Sequence, residues 1–329
     1  MLNLNKVNTV LIIRLSSLGD ILLTTPLIRS IKKQYPSVQI DLVLREQYKG
    51  SVQFNPYLRR VYTLNENQGE VAGVISGNKY DLIIDLQNNF RSRKLTQKSS
   101  AKKLYFKKRD IKKFLLVKFK INLMRDLPQI PVRYSNTLKG FKLDEEGLEI
   151  FIPENIKSNF DDNRNYIGLA PGSRHFTKMW PRYYYIYLCK MFTANNFDIV
   201  LFGGKNDKEI CNEISELFPK VINLCNDDDI LQTVTDMKKC KAIVCNDSGL
   251  MHAACATGVP VVSFFGSTVK EFGFTPYNCK NLILENNSLS CRPCSHIGRE
   301  KCPKSHFSCM KEITPQIAFK KINLLLNSR

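Results

Sequence analysis

Apolar positions in this chain come as short continuous runs, and between the runs they recur at helical spacing. Val10 to Leu15 is one such run, and Ile21 to Lys33 follows it with a helical stripe. Val38 to Leu44 and Asp81 to Leu86 repeat the strand type, with helical or basic segments between them. Runs that are apolar on both faces and separated by helices predict a parallel sheet covered on both sides. The pattern then begins again. Tyr166 to Ala170, Ile199 to Phe202, Val221 to Leu224, Ala242 to Cys245 and Val259 to Phe265 read as strands, with a helix starting at Asp207. Thr314-Pro315, an N-cap followed by proline, opens a last helix running through Leu326. The stretch from Ser158 to Asn165 is rich in Asn and Asp, lacks periodicity, and reads as a linker.

A chain of 329 residues is long enough for two domains, each with its own core. The expectation is an α/β protein with one doubly wound parallel-sheet domain at 1–160 and a second at 161–329. The two are expected to face a central cleft at their strand C-termini, where such sheets bind ligands.

Composition is that of an ordinary globular protein, and no run approaches the length needed to span a bilayer. The N-terminal apolar region is broken by Arg14 and Asp20 and has no small-residue cleavage site, so a strand and helix are expected there in place of a signal peptide. These features predict a cytoplasmic protein. All eleven cysteines lie from Cys189 onward. Most look like small buried hydrophobes, whereas Cys291, Cys294, Cys302 and Cys309 share one loop, with His296 and His306 nearby. Four such soft ligands could hold a structural zinc; free thiols are the alternative.

The formal net charge of +19 is unevenly spread. Between Arg91 and Arg125 there are 14 basic residues against one acidic residue, Asp110. The part from Asp110 to Arg125 interleaves Ile111, Phe114, Leu115, Val117, Phe119 and Ile121 with lysines. Such a segment fits a helix lying on an anionic membrane surface, or equally a core-packing helix with a solvated lysine face. High basic charge also raises nucleic-acid binding, for which Tyr105 and Phe106 beside Lys107-Lys108-Arg109 are the best stacking candidates. No helix-turn-helix, RRM or zinc-finger signature accompanies them, so no nucleic-acid partner is expected.

Three loops carry candidate chemistry. Ser16-Ser17-Leu18-Gly19-Asp20 follows the first strand and sets a carboxylate at a helix start, where a general base or a plain N-cap would sit. Pro171-Gly172-Ser173-Arg174-His175-Phe176-Thr177-Lys178 follows the first strand of the second domain and offers N–H groups, a hydroxyl and an ammonium that could neutralise a departing diphosphate. Trp180, the single tryptophan, reads as packing under the next helix. Cys245-Asn246-Asp247-Ser248-Gly249-Leu250-Met251-His252 runs from a strand into a helix start, and fits either a phosphate site or ordinary capping. Asp227-Asp228-Asp229 formally contains an Asp-x-Asp pair, but it precedes a helix at Ile230 and is better explained as capping.

Taken together, Ile12 to Ile21, Asp81 to Gln87 with Arg91, the Pro171-Gly172-Ser173 loop with Lys178-x-Trp180-Pro181, and Asp247 to His252 resemble the lipopolysaccharide heptosyltransferases of glycosyltransferase family nine. The cysteine-bearing loop is similar to the heptosyltransferase II branch in particular. The resemblance implies a GT-B fold of two Rossmann-like domains, the N-terminal one binding the acceptor and the C-terminal one the nucleotide sugar, with the last helix able to pack back on the N-terminal domain. It implies an inverting transfer of heptose from ADP-heptose to a lipid-A-linked inner-core acceptor carrying Kdo or heptosyl-Kdo, with no cofactor and no metal at the active site. Asp20 would be the catalytic base and Lys178 would act on the leaving group. Gly172, Ser173, Arg174, Lys178, Asp247, Ser248, Gly249 and His252 would bind the donor, and Ser17, Gly19 and Arg91 the acceptor. The enzyme would work at the cytoplasmic face of the inner membrane. One departure stands out: where some members carry a glutamate near the adenosine ribose, this chain has Lys205 and Asp207. A GT-B enzyme using another nucleotide sugar is the near alternative.

Overall fold

The computed structural model describes residues 4–65, 68–160 and 164–327. The chain divides into two compact units, residues 1–109 with 128–153 and residues 110–127 with 154–329. The chain therefore passes into the second unit after Arg109 and returns at Pro128, an excursion that a single boundary at 160 does not contain. Part of the expected linker, residues 161–163, lies outside the described residues. Its beginning is fixed: Ser158 Oγ and the Asn159 backbone N–H donate to the buried Asp236 carboxylate at 2.9 and 2.7 Å.

The first unit contains β1 (Thr9–Ile13), α1 (Leu18–Leu22), α2 (Thr25–Gln34), β2 (Gln39–Arg45), β3 (Arg60–Leu64), α3 (Gln68–Gly77), β4 (Leu82–Asp85), α4 (Phe90–Leu95) and β5 (Lys102–Tyr105). After α5 (Asp110–Phe119), which belongs to the second unit, α6 (Ile130–Ser135) returns to the first. Among the described residues the sheet has the order β3-β2-β1-β4-β5, with every pair parallel. The central strands are the expected ones: Val10 to Ile13 and Leu82 to Ile84 are fully buried. The edge strands β3 and β5 have no continuous apolar run, because an edge strand has less surface to bury.

The stripe from Ile21 to Lys33 is two helices, not one. Pro26 has no N–H for the Leu22 carbonyl, and the Thr25 hydroxyl takes that carbonyl at 2.8 Å. Thr24 does the same for Ile21 at 2.6 Å. Further along α2, Arg29 is buried and grips the returning chain. Its guanidinium makes two bonds to Asp144, at 2.7 and 2.8 Å, one to Glu149 at 2.8 Å and one to the Gly147 carbonyl at 3.0 Å.

The second unit contains β6 (Tyr166–Ala170), α7 (Arg182–Thr193), β7 (Asp198–Leu201), α8 (Lys208–Leu217), β8 (Ile222–Asn223), α9 (Ile230–Met237), β9 (Cys240–Asn246), α10 (Gly249–Cys255), β10 (Val261–Phe265), β11 (Asn281–Glu285), α11 (Ser308–Lys311) and α12 (Pro315–Asn327). Its described sheet runs β11-β10-β9-β6-β7-β8, again all parallel. Both sheets reverse direction of growth beside their first strand, which is the Rossmann arrangement. The fold is thus α/β with two Rossmann-like, doubly wound parallel sheets, the pair expected of a GT-B chain.

Trp180 packs as expected. It stacks on Phe264 with ring centroids 4.3 Å apart, meets Tyr185 edge-on at 5.0 Å, and donates its Nε1–H to the Ile313 carbonyl at 2.8 Å. The last helix, α12, packs in the second unit: Ala318 and Ile322 are buried in the core with Trp180, and Phe319 packs against Phe192 of α7. Asp229 caps α9 by accepting from the Gln232 N–H at 3.1 Å, and Asp227 pairs with Lys208 at 2.7 Å, the capping role expected for that triplet.

Removing the Arg29 guanidinium leaves a cavity beside Glu149, which loses its cation, and leaves Asp144 with only Lys33, 3.4 Å away. Arg29→Ala is expected to lower the unfolding free energy of the first unit by about 3 kcal/mol, measured by urea titration. A loss within 0.5 kcal/mol, roughly that of an ordinary surface substitution, would show that the clasp is not needed.

Candidate active site

In the second unit the sheet reverses between β6 and β9, so the loops leaving these strands come together. Asn246, the last residue of β9, fastens them. Its Nδ2 donates to the Pro171 carbonyl at 2.7 Å, and its Oδ1 accepts from the Trp180 N–H at 2.9 Å and the Tyr185 hydroxyl at 3.2 Å. One buried amide thus closes the 171–180 loop at both ends.

The next residue, Asp247, is buried with its charge. Its Oδ2 lies 2.8 Å from Lys178 Nζ and accepts from Thr268 Oγ1 at 2.6 Å, while Ser173 Oγ donates to its backbone carbonyl at 3.5 Å. An ammonium has three donors, and Asp247 occupies one, so Lys178 can offer the others to an anion. Beside this pair the Ser248 hydroxyl is shielded from solvent with no hydrogen-bond partner among the described residues. An orphaned buried hydroxyl at a strand-to-helix junction marks a place for a ligand oxygen. Gly249 and the buried His252 follow on α10, whereas Arg174 stands exposed on its loop.

Gly172 is required by a close approach. A Cβ there would come within 1.9 Å of Asp207 Oδ1, and Oδ2 of that carboxylate accepts from the Gly204 N–H at 3.0 Å. Burial raises the Asp207 carboxyl above the ordinary aspartate range, against the Gly204 bond, and Asp228 adds to the rise. A cavity of about 600 Å³ opens beside this loop, lined in part by Gly172, Ser173, Phe176, Tyr183 and Asp207.

Thr268 and Arg292 belong to this construction, and sequence reasoning missed both. Arg292 is buried; it donates from Nε to the Gly266 carbonyl at 2.7 Å, and from Nη2 to the carbonyls of Phe265 at 3.1 Å and Thr268 at 3.0 Å. Its ion pair with Glu285 at 2.8 Å ties the same loop to β11. The segment that presents Thr268 to Asp247 is therefore held from beneath by one guanidinium. The only signal was a basic residue between two cysteines, and the cysteines directed attention to metal. The possible zinc set is not assembled. Among the described residues no three His, Cys, Asp or Glu side chains converge to hold a metal ion. Cys309 is instead buried in the apolar core, Cys302 packs against that core, and Cys291 Sγ faces His306 Nε2 at 3.9 Å.

In the first unit the corresponding reversal lies between β1 and β4. The loop after β1 places Ser17 as N-cap of α1, and Asp20 accepts from the Ser17 N–H at 3.2 Å and its hydroxyl at 3.0 Å. Arg14 sits on the other oxygen at 2.5 Å, and Tyr134 donates to it at 3.4 Å. Burial disfavours the charge, but Arg14 and the Ser17 bonds outweigh it, and Asp20 titrates below the ordinary aspartate range. Gln87, after β4, accepts from the Leu15 N–H at 3.0 Å and joins the two loops. Gly19 is buried next to Asp20, and Arg91 is exposed on α4.

Each Rossmann-like unit thus carries an ion pair at its strand reversal, a paired carboxylate in the first and a cationic, hydroxyl-bearing pocket in the second. The sequence profile of glycosyltransferase family 9 (heptosyltransferase) matches residues 71–304, and the chain belongs to that family. It is 28% identical to lipooligosaccharide heptosyltransferase 2 of Haemophilus ducreyi, over 96% of this chain and 99% of the relative. Its fold is similar to that of a family 9 glycosyl transferase from Veillonella parvula, with a TM-score of 0.79 at 22% identity, covering 97% of each chain. A second likeness is to E. coli ADP-heptose lps heptosyltransferase II, with a TM-score of 0.75 at 24% identity, covering 97% of this chain and 98% of the other.

Thr268→Val keeps the side-chain shape and deletes the bond to Asp247. It is expected to lower kcat/KM for heptosyl transfer about tenfold and to cost about 1–2 kcal/mol of stability, and Thr268→Ser should restore most of both. Wild-type kinetics in the valine variant would show that Lys178 alone holds Asp247.

Proposed function

We propose that this enzyme transfers a heptose from ADP-heptose to a lipid-A-linked inner-core sugar of lipopolysaccharide, inverting the anomeric carbon and using no metal. The observation that carries the reading is the Lys178–Asp247 pair at the strand reversal of the second unit, with the orphaned Ser248 hydroxyl beside it. Family membership supplies the sugar, and the naming of relatives as lipooligosaccharide heptosyltransferase 2 supports the acceptor class. The first domain, 1–160, takes the acceptor through Ser17, Gly19 and Arg91, and the second, 161–329, takes the donor. The acceptor is a lipid, so the enzyme works peripherally on the anionic cytoplasmic face of the inner membrane.

In the reaction the acceptor hydroxyl oxygen forms a bond to the anomeric carbon from the face opposite the diphosphate. The bond from that carbon to the β-phosphate oxygen breaks, and its electron pair leaves with ADP. The hydroxyl proton passes to Asp20. Lys178, Ser173 and Ser248, with the backbone at Gly172 and Gly249 and with His252, meet the charge that develops on the departing diphosphate, and Arg174 lies at the edge of that pocket. Arg14 keeps Asp20 ionised and oriented, so the carboxylate is ready to accept without first losing a proton.

Asp20→Asn is expected to lower turnover by about a thousandfold with donor affinity nearly intact, assayed by product formation from ADP-heptose and defined core acceptors. Because Asp20 is held ionised, kcat/KM should show no acid limb from this group above the ordinary aspartate range; its contribution declines only as pH falls through its depressed value. An acid limb near pH 6 that disappears in Asp20→Asn would contradict the paired state. Lys178→Ala should weaken donor use on the order of a hundredfold. A defect confined to acceptor KM would remove Lys178 from the leaving-group side.

A further inference from the structure

We propose that residues 110–127 form a wedge that docks this enzyme on anionic phospholipid. The proposal rests on the membrane part of the reading above and gives it a location. This segment carries more apolar side chains than its own packing uses. Leu116 and Met124 are buried against Phe272, with Val117 and Leu127 beside them, and that small core occupies one side of the segment. On the remaining surface Ile111 is 77% exposed, and Phe114, Phe119, Ile121 and Leu123 are each 49–56% exposed. Scattered single apolar residues on a surface need no explanation, but five within one short segment do.

The exposed side chains are held in place. The Phe114 and Phe119 rings meet edge to face at 5.9 Å, and Lys118 Nζ lies 6.0 Å from the Phe114 centroid. Where α5 ends, Lys120 has positive φ and its ammonium donates to the carbonyls of Val117 at 3.1 Å, Cys291 at 3.0 Å and Pro293 at 2.6 Å. Asn122 donates to Glu271 at 3.1 Å, and Lys112 to the Leu123 carbonyl at 3.2 Å. The segment is pinned to the β10 side of its unit and to the cysteine loop, and it presents the aromatic pair from a fixed base.

Charge decides the occupant. Residues 110–127 hold five basic side chains, Lys112, Lys113, Lys118, Lys120 and Arg125, against Asp110 and Asp126. A second copy of a chain with net charge +19 would bring like charge to this face. A soluble phosphorylated sugar would meet the lysines and leave the phenylalanines in water. An anionic bilayer takes both, with aromatic and aliphatic side chains at the acyl boundary and ammonium groups among the phosphates. No helix among the described residues is long and apolar enough to cross a membrane, so attachment through this segment is to the surface.

The test is flotation of the full-length enzyme with vesicles of phosphatidylethanolamine and phosphatidylglycerol, or of phosphatidylcholine alone, alongside turnover on a deacylated, water-soluble acceptor. Wild type should partition at least tenfold better onto the anionic vesicles. Phe114→Ser with Phe119→Ser should lose at least tenfold of that binding, and Lys118→Glu several-fold, both with wild-type turnover on the deacylated acceptor. Equal binding to both vesicle types, or undiminished binding by the double variant, overturns the wedge. So does an equal loss of turnover on the deacylated acceptor, which would make this face an acceptor site, or a dimer that the double variant dissolves, which would make it a self-association surface. If vesicle binding behaves as expected but ADP-heptose yields no product, the transfer reading fails and the wedge stands.

Discussion

A carboxylate removed from water has to be met by a counter-charge and by hydrogen-bond donors, and Asp247 is met by both. Lys178 supplies the charge and Thr268 the hydroxyl, both on the same oxygen. That requirement fixes the 171–180 loop against the end of β9 and the loop after β10 against both. Asn246 sets the backbone of the first loop, and Arg292 sets the backbone of the second. The pocket is therefore a consequence of satisfying one buried anion, and the cysteine-rich segment serves it through Arg292.

Each unit keeps one ion pair at its strand reversal, and the two pairs are built in opposite senses. In the first, the Arg14 side chain is 11% exposed and Asp20 17%; in the second, Lys178 is 16% exposed and Asp247 7%. The member nearer to solvent is the anion in one unit and the cation in the other. Those are the members that the proposed chemistry uses, one to receive a proton and one to receive negative charge. Their buried partners hold each in place.

The central strands were legible because they are covered on both faces, as at Val10 to Ile13 and Leu82 to Ile84, and burial on both faces leaves an unbroken apolar run. The candidate loops were legible for a related reason, since small and charged residues directly after such runs sit where α/β sheets bind ligands. Three edge strands escaped: β5 reads Lys-Lys-Leu-Tyr, and β3 and β11 likewise have a neighbouring strand on one side only, whereas the edge strand β8 was read within Val221 to Leu224. Pro26 was visible, but its effect depended on the Thr25 hydroxyl taking the carbonyl of Leu22 that it leaves free. Arg292 and the excursion of residues 110–127 into the second unit rest on contacts between distant parts of the chain, and no local pattern encodes them.

Gly172 and Asp207 compete for one volume. Any side chain at 172 would overlap a carboxylate whose other oxygen is already committed to the Gly204 N–H, so the two positions are not free to vary separately. A larger residue at 172 becomes admissible only if 207 shrinks or turns away, and turning away releases the Gly204 backbone at the start of the next helix. Diversifying the 171–178 loop would therefore have to change the two sites together, or leave position 172 as it is.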